Sequence, residues 1–206
     1  MPEKARQSSA VWTLEKALPW LLLIGGIIAL AASFALTMEK FDLLENPSYV
    51  PVCDINPIIS CGPVSSSAQA AAFGFPNPFL GLAGYAIVAT TGAVLLAGAR
   101  LKRWFWLSVE AGLFFAIVFV HWLAFETLYR IGSLCIYCMV VWAVTAPMFW
   151  YTTLYILRQG HIKTPLSLRK IVGFIQQHHA EILILWYLVI IALIAKRFWY
   201  YWSSLI

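Results

Sequence analysis

The chain has 206 residues, 62% of them hydrophobic and 11% charged, with a mean hydropathy of +0.80. Soluble domains hold roughly 45 to 50% apolar and about 25% charged residues, so a soluble globular fold is excluded. Lys and Arg number 14 against 9 Asp and Glu, for a net charge of +5; with no basic stripe, Gly-rich phosphate loop or low-complexity tract, this excess reads as membrane-orientation charge rather than a nucleic-acid footprint.

A bilayer core takes about 20 apolar residues to cross as a helix, so the length admits five spans and no second large soluble domain. Residues 1–17 are polar. The first apolar run, 18–38, is longer than a signal-peptide core and has no small-residue cleavage pattern behind it, and so reads as a retained span. A long loop, 39–78, follows, then runs at 79–98, 104–128 and 134–157, a polar stretch at 158–181, and a last run at 182–202. Lys196 and Arg197 interrupt that run and are expected to snorkel outward among Phe198, Trp199, Tyr200, Tyr201 and Trp202. Pro147 is expected to kink the fourth span. The expected fold is a single all-α integral membrane domain, a bundle of five transmembrane helices with a four-helix core plus a fifth.

With the N-terminus in the cytoplasm, Lys4, Arg6, Lys16, Arg100, Lys102, Arg103, Arg158, Lys163, Arg169 and Lys170 fall inside, leaving Lys40, Arg130, Lys196 and Arg197 outside. This is a clear positive-inside bias. It makes 39–78 an external loop, acidic through Glu39, Asp42, Glu45 and Asp54 against Lys40.

The four cysteines then lie on the external side: Cys53 and Cys61 in the loop, Cys135 and Cys138 at the start of the fourth span. Disulfides persist in such compartments. Two pairs there read as two exchangeable disulfides, as two structural staples, or as the four ligands of a zinc ion. A staple across so short a loop is worth roughly 2.5 kcal/mol in the entropy model, a modest gain for a membrane bundle. Zinc would compete with disulfide formation, and the wider pair lacks the short knuckle spacing. Cys135-Ile136-Tyr137-Cys138 puts two sulfurs one helical turn apart, a redox spacing, and the helix N-terminus favours a thiolate there. Trp142 follows four residues beyond Cys138 on the same face.

Between the pairs, Asn56-Pro57 is a turn-former that brings the ends of the Cys53–Cys61 segment together. Ser66 and Gln69 match a capping box for a helix of about two turns running to Phe73, stopped by Gly74 and Pro76. This short helix is expected to lie in the membrane interface and lid a pocket. The second span then opens at Asn77-Pro78-Phe79-Leu80-Gly81.

The pattern C-D-x-N-P-x-x-S-C-G from Cys53, then Ser67, then F-P-N-P-x-L-G around Asn77, then C-x-x-C opening a later span, resembles the vitamin K epoxide reductase family, specifically its bacterial members. Bacterial disulfide-bond membrane oxidases carry their pairs in the reverse order. The resemblance covers about 37–157. It implies a quinone, menaquinone or ubiquinone, beside the C-x-x-C with Cys138 nearest the ring, and a loop pair, Cys53 and Cys61, relaying electrons from a thioredoxin-like partner to Cys135. It further implies that Asn77 hydrogen-bonds a quinone carbonyl and that Ser67 lies near the same pocket. The assisting tyrosine of animal members is replaced by Trp142, whose indole donates one hydrogen bond and accepts none. No metal is expected.

The function so implied is a quinone-linked thiol/disulfide oxidoreductase of the bacterial plasma membrane that reoxidises an extracytoplasmic thioredoxin-like protein. Because the chain ends without a thioredoxin-like domain, that partner is expected to be separate. The alternatives are a vitamin K epoxide or quinone reductase using the same cysteines, and a non-enzymatic disulfide-braced scaffold. Elsewhere, His121 is a candidate proton relay set against a buried, hydrogen-bonded imidazole, and Glu110 is a polar residue within the third span. Glu126 with Arg130 reads as an interfacial ion pair. Asp54 is expected to raise the Cys53 thiol pKa by repulsion, and His178 and His179 are expected to be remote from the chemistry.

Overall fold

The computed structural model describes residues 2–46, 48–162, 165 and 168–203, with side chains from residue 14 onward. Lys163 lies outside the described residues, as do the side chains of Lys4 and Arg6. The protein is all-α, with five helices long and apolar enough to cross a membrane. Helix α1 is Pro2–Glu45, α2 is Cys61–Ser66, α3 is Pro78–Leu96, α4 is Arg103–Glu126, α5 is Ile136–Arg158, α6 is Arg169–Gln177, α7 is His179–Arg197, and a last turn, α8, is Trp199–Trp202. A single-turn 3-10 segment, Ala68–Ala71, follows α2, and a π turn, Thr127–Ile131, ends α4.

Close approach of backbones holds α1 to α3. A Cβ on Gly26 would come within 2.7 Å of the Ala89 nitrogen, and one on Gly92 within 2.8 Å of the Leu23 Cα. In lipid, where apolar surface gains little by meeting apolar surface, such small-residue contacts supply the dispersion energy that holds helices together. α1 also packs on α5, and α5 on α4, whereas α3 and α4 touch only glancingly although a short connection, 97–102, joins them. The four-helix core is therefore a C-shaped bundle with an open seam between α3 and α4.

The fifth spanning helix, α7, buries none of its residues. Polar bonds attach it instead: Trp150 Nε1 donates to the His179 carbonyl, Trp186 Nε1 to His121 Nε2, and Arg197 Nε to the Leu128 carbonyl at 2.7 Å. The expected snorkelling is thus corrected for Arg197, which folds back onto the π turn. Phe198 is corrected too, being fully buried against Ile58 and Trp142 rather than facing headgroups.

The first span also continues past Met38, as helix, to Glu45. The loop helix starts at Cys61, and the Ser66–Gln69 capping box does not form. Ser67 Oγ donates back to the Val64 carbonyl, and Gln69 Nε2 reaches Glu126. Asp54 is the physical reason: its Oδ1 accepts from the Cys61 and Gly62 amides and from Ser60 Oγ, capping α2 several residues before the predicted start. Among the described residues the only β-bridge pairs Ile59 with Leu134, in parallel.

Candidate active site

The loop holding Cys53 and Cys61 is built from its own side chains. Asn56 Oδ1 accepts from the Ile58 and Ile59 amides, and the Ile55 amide donates to the Ile59 carbonyl, closing the turn expected at Asn56-Pro57. Ile58, fully buried, plugs the loop into the core beneath it. The bridge then clamps it sideways: the Leu134 amide donates to the Ile58 carbonyl at 2.7 Å, and the Ser60 amide to the Leu134 carbonyl at 2.9 Å. Two of these residues adjoin a cysteine, since Ser60 precedes Cys61 and Leu134 precedes Cys135. Gly132, in the left-handed region at φ 76°, makes the bend that delivers Leu134 to the loop.

The result is a line of sulfurs. Cys53 and Cys61 form a disulfide, and Cys61 Sγ lies 3.2 Å from Cys135 Sγ. Cys135 and Cys138 are thiols, Cys135 fully buried and Cys138 half-buried. Cys135 is the N-cap of α5, one position before the first turn where sequence spacing put it, and its sulfur accepts from the Cys138 amide. The Cys138 side chain, followed by the Cys138 and Tyr137 amides, holds the Cys135 thiol pKa below that of an ordinary cysteine, outweighing burial and the charge of Glu39, which both raise it. The Asp54 carboxylate caps α2 and so sets the geometry of the loop around Cys61.

Beyond Cys138 opens a cavity of about 560 Å³ that runs along the α3/α4 seam. Ser67, Gln69, Asn77, Glu126, Cys138 and Trp142 line the end near the sulfurs, and Leu80, Gly84, Ile87, Gly112 and Phe115 continue it between the helices. A Cβ on Gly84 or Gly112 would meet nothing within 4 Å, so these glycines keep the seam wide. The cavity is mostly apolar, with Ser67, Gln69, Asn77 and Glu126 at the end near the sulfurs, a lining suited to an amphiphilic ring and tail.

Asn77 is held rigidly there: its Nδ2 donates to the Gln69 carbonyl at 2.7 Å and its Oδ1 accepts from the Ala72 amide. One N–H of that amide is left for a ligand. The seven predicted residues Cys53, Cys61, Cys135, Cys138, Asn77, Ser67 and Trp142 thus assemble at one end of the bundle. His121 stands apart: Nδ1 bonds the Ile117 carbonyl at 2.6 Å, Nε2 accepts from Trp186 at 2.8 Å, and the ring does not line the cavity. Glu110 is likewise remote, accepting from Thr153 Oγ1.

Sequence reading missed two buried carboxyl groups near the site. Glu39 accepts from the Val52 amide, tying α1 to the loop, and Glu126 lines the cavity. The Glu126 pair with Arg130 forms as expected, at 3.2 Å. No spacing rule reveals that one partner is buried.

Among the described residues, no three His, Cys, Asp or Glu side chains converge as ligands for a metal ion. A profile of the vitamin K epoxide reductase family matches residues 20–153, well over half of the chain. The chain belongs to the vitamin K epoxide reductase family. No curated protein matches it. As a family member it is a multi-pass membrane oxidoreductase, with one pair of its cysteines closed as a disulfide.

Proposed function

We propose that this vitamin K epoxide reductase family member is a quinone-linked thiol oxidase that reoxidises a separate, extracytoplasmic thioredoxin-like partner in the bacterial plasma membrane. The N-terminus is cytoplasmic and the sulfurs lie on the outer face. In support, Arg100, Lys102, Arg103, Arg158, Arg169 and Lys170 gather at the end of the bundle opposite the cysteines. The single observation that carries the proposal is the 3.2 Å contact between Cys61 and Cys135, with Cys138 opening on the apolar cavity.

The relay runs inward by thiol/disulfide exchange. A partner thiolate attacks Cys53, breaking the Cys53–Cys61 bond and leaving Cys61 as thiolate. Once the partner's second thiol has released Cys53, Cys61 attacks Cys135 of an oxidised Cys135–Cys138 pair and expels Cys138 toward the cavity. Cys53 then resolves the Cys61–Cys135 bond and releases Cys135 as a thiolate, while the expelled Cys138 takes up a proton from water; the loop disulfide is restored and the α5 pair is left reduced, the pairing seen here. Cys53 is only 3% exposed while its neighbour Val52 is 79% exposed, so the loop tip must turn outward to receive the partner. A bound menaquinone or ubiquinone accepts two electrons and two protons. Asn77 offers it a hydrogen bond, with Ser67 and Trp142 beside the ring site and the seam admitting the tail. With both ring nitrogens engaged, His121 takes no part.

The test is Cys135→Ser in purified, detergent-solubilised protein with a reduced thioredoxin-like donor and a short-chain quinone. Loop exchange with the donor should persist while quinone stays oxidised. Rapid quinone reduction by this variant would overturn the relay, and wild-type cysteines that resist the donor entirely would make the protein a scaffold.

A further inference from the structure

We propose that Glu126 is the proton carrier of the cavity, delivering to the electron acceptor the second proton of its reduction, which the Cys135 thiolate does not carry. The inference rests on the quinone-linked reading above and adds a residue to it.

Glu126 is 2% exposed at the end of α4 and is the only carboxyl among the described residues lining the cavity. Its surroundings give it two faces. Oε2 accepts from Gln69 Nε2 at 3.2 Å, beside the Asn77 anchor and on the same cavity wall as Cys138. Oε1 pairs at 3.2 Å with Arg130 Nη1, and the Arg130 side chain is 64% exposed. One carboxyl group therefore joins the cavity wall to an exposed cation at the loop side. The other titratable groups on the cavity wall are Cys138 and Tyr85, and the Tyr85 hydroxyl is tied to Thr145 Oγ1 at 2.7 Å. The Arg130 guanidinium pairs with the carboxylate and steadies it, and has no acceptor atom with which to take up a proton.

The balance of the step requires such a group. When the α5 pair is oxidised, the Cys135 thiolate and the Cys138 thiol form an S–S bond, the Cys138 S–H bond breaks, and two electrons leave for the acceptor. Reduction to a quinol takes up two protons. Cys138, expelled as a thiolate in the exchange, has since taken up a proton from water and supplies one; Cys135 left the Cys61–Cys135 bond as a thiolate and supplies none. Glu126 supplies the second and is reprotonated from the aqueous side next to Arg130. A lone carboxylate in lipid would be costly; here Arg130 and Gln69 compensate its charge in the interval between proton delivery and reprotonation.

Glu126→Gln keeps an acceptor and the shape of the side chain but carries no acidic proton. Turnover with a short-chain quinone should fall about a hundredfold, the lower range for loss of a general acid, while quinone KM and the Cys61–Cys135 exchange rate hold within about twofold. Independently of turnover, infrared difference spectra of quinone-free protein, α5 dithiol minus disulfide, should show a carboxyl band that is absent in Glu126→Gln. Glu126→Asp, which retains the acid, should recover part of the rate and keep the band; this variant decides the matter if the Gln variant does not fold. Unchanged turnover and an unchanged band in Glu126→Gln would overturn the proposal, as would a raised KM with intact kcat, which would mean that Glu126 only positions Gln69. A wild-type protein that passes no electrons to quinone would overturn the functional reading and this proposal together.

Discussion

Cys61 and Cys135, 74 residues apart in sequence, stand with their sulfurs 3.2 Å apart, and Cys53 is bonded to the far side of Cys61. The contact is asymmetric: in the proposed relay it makes Cys61 the inner member of the loop pair and Cys135 the receiving member of the α5 pair. A protein left with only these two, Cys53→Ser/Cys138→Ser, should close a disulfide on mild oxidation, visible by non-reducing mass mapping. Cys61→Ser/Cys138→Ser, which leaves Cys53 and Cys135, should close slowly if at all. Equal closure in both would show that the loop samples positions too broadly for the contact to matter.

Asp54 positions this contact by capping α2 through the Cys61 and Gly62 amides. Asp54→Ala should cost about 1 to 2 kcal/mol of local loop stability, the range for lost N-caps. Amide hydrogen exchange across 60–66 should quicken and the Cys61–Cys135 exchange should slow, with the transmembrane helices unaffected. Asp54→Asn, which keeps an acceptor oxygen, should fall between.

The seam glycines separate two roles. Gly84→Leu or Gly112→Leu fills open space lining the cavity, so quinone KM should rise several-fold while the protein remains folded and the loop still exchanges with its donor. Gly92→Ala instead drives a methyl into the backbone of α1 and should destabilise the bundle by about 1 to 3 kcal/mol, as overpacking does, with the loss read as thermal aggregation in detergent.

The pH dependence of exchange follows from Cys135. Its pKa is lowered first by the Cys138 side chain, so the reactive thiolate builds up at lower pH than for an ordinary cysteine. The rate of Cys135 attack on the loop disulfide should therefore rise with pH and level off early. In Cys138→Ala, losing the largest lowering contribution, the same profile should shift to higher pH. A profile unmoved by that substitution would assign the lowering to the helix amides alone.

His121 offers a control for the cavity. It joins α4 to α7 through Trp186, so His121→Phe should loosen α7, seen as faster proteolysis between α6 and α7, and should leave quinone turnover within about twofold.

Much of this protein is legible in its sequence, and for a physical reason: a bilayer makes every span carry about 20 apolar residues and charges for every misplaced cation. The five spans, the side shared by the four cysteines and the Asn56-Pro57 turn all follow from local composition and spacing. The cysteine order and the motif around Asn77 carry the family resemblance as well. What local pattern misses is anything set by a partner distant in sequence. The start of α2 belongs to Asp54 rather than Ser66 because a carboxylate held back against the Cys61 amide outcompetes a hydroxyl. Arg197 bonds the Leu128 carbonyl instead of reaching for headgroups, and Glu126, paired with Arg130 as its spacing suggests, turns out to be buried on a cavity wall. The sequence by itself determined the spans and singled out the cysteines and Asn77 of the proposed site. Which sulfur faces which was decided by the Ile58–Leu134 clamp, because angstrom distances between segments 74 residues apart arise only when tertiary packing closes the loop onto α5.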